Sequence, residues 1–286
     1  MRRSILVLVL ALALASNVFA AQTYIQWNGL AGDGSWNTPG NWNTSTVPNA
    51  LDFHGVAAAP GYKAGFKTAP NYATLDSGAG TVTTDVMVFG GTNASNLDCL
   101  VVNGATVNVS EYITLAAGTG DNGILTVNSG TVSTGVQYTN ATFYVTQLGK
   151  GLLNMNGGTI NCGLPDPTWE GRPANYFGNL SMTGTGVTSI GTLNLVGGTI
   201  YANDLVKGSG TASLVITGGS IVLKGNDEAT ITGYIDDGWF STENGWEIMI
   251  SYDDLEDTTT VYAVPEPATV CLLGLGAVAL LRRNKK

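Results

Sequence analysis

Pro265, Glu266 and Pro267 stand directly before an apolar run, Ala268 to Leu281, that ends in Arg282, Arg283, Lys285 and Lys286. Two prolines around one carboxylate hold a short stretch extended, because proline fixes its own φ and restrains the residue before it. An extended, singly charged peptide just outside the membrane is one that a processing enzyme could reach. As a helix the apolar run covers about 21 Å, against a hydrocarbon layer of about 30 Å. It is short for a permanent span. The basic cluster is expected to remain on the cytoplasmic side and stop the chain from slipping through, which makes the segment a temporary membrane anchor. A helix starting near Pro267, with extended chain before it, is the expected local structure.

Elsewhere the chain offers little that could run a reaction of its own. Polysaccharide lyases and glycosidases need converging carboxylates, with a basic group or a cation to stabilise developing charge. Asp76, Asp85, Asp98, Glu111, Asp121, Asp166, Glu170 and Asp204 are scattered, and no two of them take the same place in neighbouring repeats. His54 is the only histidine, which argues against a histidine-based triad or a multi-histidine metal site. No catalytic residue, metal site or cofactor is assigned, and the chain is not expected to be an enzyme. The segment 163–190 carries the alternative function. Asp166, Glu170 and Arg172 accompany Trp169, Tyr176 and Phe177 there, and aromatic rings in a flank loop are a plausible glycan contact, pointing to a polysaccharide-binding or polysaccharide-processing protein. The competing structural reading has that segment folding back over the wall of the body. Residues 226–264 hold acids throughout and no Lys or Arg. Weak calcium binding is conceivable there, but the alternating ligand spacing of an EF-hand loop is missing, so a solvated acidic face is expected.

The elements that must carry these residues are set by a repeated phrase. It reads LVVNGATV from Leu100, LTVNSGTV from Leu125, LNMNGGTI from Leu153, LNLVGGTI from Leu193 and LVITGGSI from Leu214, with a worn copy, LDSGAGTV, from Leu75. The spacing falls mostly between 20 and 30 residues, a period typical of solenoids. Apolar side chains occupy the first and third places of each phrase and then the eighth and often the tenth. One strand keeps its inward residues on one parity, so the switch requires a corner between two strands. Gly157-Gly158, Gly197-Gly198 and Gly218-Gly219 supply it, since glycine turns the backbone without a Cβ penalty. The fold expected is all-β: a single-stranded parallel β-helix over residues 75–225, interrupted by the insert 163–190. Its Leu column should face inward and its column of Thr and Ser, including Thr159, outward.

Each end of such a stack needs an atypical unit to cover its open core. Residues 21–74 are expected to form an N-terminal cap with an irregular first coil, in which Trp27, Trp36 and Trp42 shield the end. A sugar-stacking platform is the competing use of those rings. Residues 226–263 should form the other cap. Asn226 or Asp227 can begin a helix of about three turns that places Ile231, Tyr234 and Ile235 on one face and stops at Gly238, followed by two strands joined by an acidic turn. Cys99 and Cys162 fall on opposite parities, two coils apart, and no disulfide between them is expected.

The 286 residues include 39 glycines and 12% charged residues, with 44% hydrophobic, so there is material for a long core. Twelve basic residues stand against 21 acidic ones, and most of the basic ones at the termini belong to the expected targeting segments. The acidic body excludes nucleic acid and anionic lipid surfaces as partners. Residues 1–20 read as a secretory signal peptide: Arg2 and Arg3, an apolar stretch, and a small-x-small site with cleavage between Ala20 and Ala21.

Three stretches resemble known families. The VPEPAT wording from Val264, followed by the apolar run and basic end, is similar to the PEP-CTERM sorting signal. That resemblance implies recognition by an exosortase-type membrane enzyme, removal of the tail 264–286, and display at the cell surface or release, often alongside exopolysaccharide. The opening YIQWNGLAGDGSWNTPGNWN from Tyr24 resembles the start of bacterial surface proteins with autotransporter-like or pectin-lyase-like β-helix repeats, and the acidic closing segment is similar to that of surface proteins from planctomycete-type bacteria. Together they imply an exported structural or adhesive surface protein.

Overall fold

The computed structural model describes residues 23–45, 47, 62–66, 73–84, 86–89, 98–135, 142–163, 178–243 and 245–265. The strands fall into three rows, and within a row each strand pairs with its counterpart in the next repeat. The first row begins at Ala73–Asp76 and continues through Lys150–Met155, Ile190–Leu195 and Thr211–Ile216. The second runs from Thr81–Thr84 through Thr159–Cys162 and Thr199–Ala202 to Ser220–Lys224. Asp98–Val109 and Asn122–Thr134 are long enough to serve both rows, and they join the two rows into one 13-stranded sheet. All pairings among these repeats are parallel.

The register follows the phrase. Leu100 pairs with Leu125, Leu125 with Leu153, Leu153 with Leu193, and Leu193 with Leu214. All five are buried, as are Val107, Val132, Ile160, Ile200 and Ile221 in the second row. The outward column is also in register, with Thr106 beside Thr131, then Thr159, Thr199 and Ser220, all partly exposed.

The worn copy departs from this pattern. Leu75 lies opposite Val102 and Ala73 opposite Leu100, while Val82 lies opposite Val107. The phrase at Leu75 is therefore shifted by one inward place in its first strand, and a short 3-10 turn over Ser77–Ala79, capped by the Asp76 carboxylate, absorbs the extra residues. The repeats accordingly start at Ala73 rather than at Leu75.

A third row was not legible in the phrase. Thr23–Trp27, Tyr62–Phe66, Val86–Phe89, Ile113–Thr114, Phe143–Tyr144, Leu180–Ser181 and Leu205–Val206 form a seven-stranded parallel sheet. Within the stretch 21–74, expected as a cap with an irregular first coil, Thr23–Trp27 and Tyr62–Phe66 belong to this sheet. Within the expected insert 163–190, Leu180–Ser181 pairs with both neighbouring repeats. Strands of two residues are too short to leave a period-2 signature, which is why they were missed.

The corners are close-packed. Gly130, Gly158, Gly198 and Gly219 have φ of 92°, 75°, 79° and 68°. A Cβ on Gly198 would sit 2.4 Å from the carbonyl oxygen of Gly158, and one on Gly219 would sit 2.6 Å from that of Gly198. Each corner rests on the backbone of the corner before it. In Asp98–Val109 and Asn122–Thr134 the corner is a bend within a continuous strand, marked by register shifts around Asn103, whereas the strand breaks at Ser77–Ala79 and again from Gly157 onward. Beside these corners Asn128 donates to the Asn103 side chain at 2.7 Å and Asn156 donates to that of Asn128 at 2.8 Å.

Cys162 is fully buried at the inner end of Thr159–Cys162, with a free thiol whose pKa burial pushes upward, so thiolate is scarce. It is expected to resist iodoacetamide in the folded protein and to react only after unfolding. Rapid labelling of Cys162 under native conditions would contradict its inward facing.

Candidate functional site

The last strand, Thr258–Pro265, is where the fold meets the C-terminal segment. Its residues alternate between buried and half-buried, with Thr259, Val261 and Ala263 facing in. It pairs antiparallel on one side with Ser220–Lys224, from Ser220 opposite Tyr262 to Lys224 opposite Thr258. On its other side lies Trp246–Asp253, also antiparallel, from Trp246 opposite Pro265 to Asp253 opposite Thr258. The buried Thr259 hydroxyl fixes the start of the strand, donating to the Gly225 carbonyl at 2.7 Å and accepting from the Asp227 amide at 2.8 Å. Pro265 is exposed at the end. Strand geometry thus continues through the first proline.

The elements before this strand match the expected helix and hairpin, with one addition. The helix spans Glu228–Asp236 and is followed by Gly238 at φ 78°. Asp227 occupies the N-cap without a side-chain hydrogen bond, while Asn226 accepts from the Glu228 amide at 3.3 Å. Ile231 is buried, and Tyr234 and Ile235 are packed against the core. The addition is Phe240–Thr242, which continues the first row by pairing in parallel with Leu214–Ile216. Tyr234 stacks on Trp239 with ring centroids 3.8 Å apart, and the Lys207 ammonium lies 5.0 Å from the Trp239 ring.

The hairpin turn is acidic but locally satisfied. Asp257, at φ 50°, accepts from the Tyr252 hydroxyl at 2.9 Å and lies 3.3 Å from the Lys224 ammonium, and these contacts lower its pKa. Asp253 accepts from the Leu255 and Glu256 amides. Among the described residues no group of three His, Cys, Asp or Glu side chains is placed to hold a metal ion.

Two of the scattered carboxylates, Asp76 and Asp121, have structural partners. Asp76 caps the 3-10 turn, and Asp121, nearly buried, accepts from the Gly118 amide at 2.7 Å. One coupling escaped the sequence reading. The Asp227 pKa is raised, chiefly by desolvation and then by Asp204, and the Tyr234 pKa is raised by desolvation and by both carboxylates. Asp204 and Asp227 lie in different structural units, so their spacing in sequence carried no signal. Lys207, the nearby cation, is placed against Asp237 at 4.0 Å and over Trp239.

Trp27, Trp36 and Trp42 are buried together, with ring centroids 5.1 Å apart for Trp27 and Trp42 and 4.6 Å for Trp36 and Trp42. The Trp42 indole donates to the Trp36 carbonyl at 2.8 Å. Buried Asn41 and the Asp33 carboxylate brace the loop around them: Asp33 accepts from Ser35, Thr38 and Asn41, and these bonds lower its pKa. A sugar-stacking platform needs exposed ring faces, and these rings have none.

Several residues singled out in the sequence lie outside the described residues: Ala20 and Ala21, the lone histidine His54, Trp169, Tyr176 and Phe177 with Asp166, Glu170 and Arg172, then Glu266, Pro267, Arg282, Arg283, Lys285 and Lys286. Among the described residues no helix is long and apolar enough to cross a membrane.

Residues 263–286 match the PEP-CTERM protein-sorting motif. The tail is a sorting signal. It marks the chain as one sorted by an exosortase and exported to the cell surface, and it begins inside the last strand, at Ala263. No curated protein and no solved structure matches the chain.

Proposed function

We propose that this chain is a structural or adhesive element of the cell surface or extracellular matrix, without catalytic activity of its own. Its body is a parallel β-helix, shielded at one end by the Trp27, Trp36 and Trp42 cluster and at the other by the helix and hairpin. The observation that carries this reading is the outward face: register-matched Thr, Ser and Asn columns, several of them bonded to the next repeat, where an active site would need converging charge. Such a face is hydrated, uncharged and stiff, suited to spacing or contact with exopolysaccharide or the cell envelope. A glycan array together with a lyase and hydrolase screen on residues 21–265 tests it. Turnover of a polysaccharide by that protein would overturn the reading in favour of an enzyme, and tight selective glycan binding without turnover would make the body a lectin-like binder.

The sorting signal is read as a temporary membrane anchor that is removed by the exosortase. Replacing the motif's first proline and its carboxylate, Pro265→Ala with Glu266→Ala, is expected to leave full-length protein in the membrane fraction while the parent yields a shorter species. Normal shortening of the double variant would show that those side chains are not what the enzyme reads.

A further inference from the structure

The sorting signal and the fold overlap. The matched residues begin at Ala263, and the last strand ends at Pro265, so three residues belong to both. Ala263 lies opposite Ile248, Val264 opposite Glu247 and Pro265 opposite Trp246. On the other side, pairing with Ser220–Lys224 stops at Tyr262. The shared residues are therefore held by one neighbour only, and Ala263 is turned into the core. No spacer separates the folded body from the signal.

Enzymes that cut a peptide bind several residues around the scissile bond in extended form, and a segment engaged in a sheet must open before it can be taken. We propose that Trp246, Glu247 and Ile248 are positioning residues for the sorting reaction: their pairing with Ala263, Val264 and Pro265 governs how often the signal is presented to the exosortase. The fold limits the opening to three residue pairs. Tyr262 and the residues before it are clamped on both sides, and Thr259 is tied to Gly225 and Asp227, so the signal can fray while the body stays closed. The bond broken is one peptide bond of the tail, whose acyl group passes to water or to an acceptor amine while the tail leaves with a new amino terminus. The rate of that step then scales with the frayed fraction.

The inference rests on the tail being processed, and the test separates the two. Full-length chains are produced with the exosortase in its native envelope and followed by pulse-chase, with the melting temperature of the body measured alongside. One variant carries Gly-Gly-Ser-Gly-Gly-Ser between Tyr262 and Ala263. A second carries Ile248→Cys with Ala263→Cys, to link the two strands. The spacer is expected to raise the initial rate roughly tenfold without lowering the melting temperature by more than a few degrees, and the linked pair to lower the rate by a similar factor until dithiothreitol restores it. Equal rates for parent, spacer and linked chains would overturn the proposal and place the cut beyond the reach of the strand. A parent that is never shortened would instead strike at the reading of the tail.

Discussion

Leu153→Asp is expected to lower the urea midpoint of the body far more than the same carboxylate placed on the outer column. Leu153 is fully buried, with Leu125 on one side and Leu193 on the other in the inward column. A carboxylate there has no cation to pair with among the described inward residues and would cost about 4 kcal/mol or more, a large share of the roughly 5–15 kcal/mol that holds a domain folded. Thr159→Asp is the control. Thr159 is partly exposed on the outer column, so the same carboxylate reaches water and should cost about 1 kcal/mol or less. Urea midpoints for the two variants check the facing, and similar losses would refute it.

Gly198→Ala should be the second large effect, and Gly238→Ala separates its causes. Both glycines have nearly the same φ, 79° and 78°. The left-handed backbone alone makes an alanine cost about 1–2 kcal/mol at either position. A Cβ at Gly238 meets nothing within 4 Å, whereas at Gly198 it falls 2.4 Å from the Gly158 oxygen and 2.7 Å from the Gly157 carbonyl carbon. The stack would have to part at that corner, and the loss should exceed the Gly238 value by about 2 kcal/mol or more. Equal losses would mean that the corners are not in contact.

The first two rows were legible because burial imposes a two-residue alternation, and the paired glycines mark where its parity changes. The third row carries no such alternation: Ile113–Thr114, Phe143–Tyr144 and Leu180–Ser181 are too short to show it. A different signal for this row was present and unread. Gly123, Gly151 and Gly191 stand in register at the entrance to the first row, with Ala212 completing the column. A Cβ on Gly151 or Gly191 would run into the carbonyl of Val145 or Met182 just upstream. A small residue two places before Leu125, Leu153, Leu193 and Leu214 was thus the mark of the missing corner. The worn copy at Leu75 misled for a related reason, since its letters match the phrase while its corner holds an extra turn.

The sorting signal was legible for the opposite reason. It depends on the local order of Pro, Glu, apolar run and basic end, with no tertiary context needed. Its overlap with the last strand was not legible, because strand propensity in Thr258 to Val264 does not say where pairing stops. The buried tryptophans fall between these cases: their spacing showed a cluster, and only packing shows that the rings are buried rather than exposed.

The form of the protein that reaches the cell surface tests removal of the tail most directly. The measurement is the intact mass and terminal peptides of the mature protein recovered from the cell envelope or medium. The account predicts a chain that begins at Ala21 and ends near Val264. A mature surface form that still yields a tryptic peptide containing Cys271 would contradict it, making the tail a retained anchor rather than a signal that is removed.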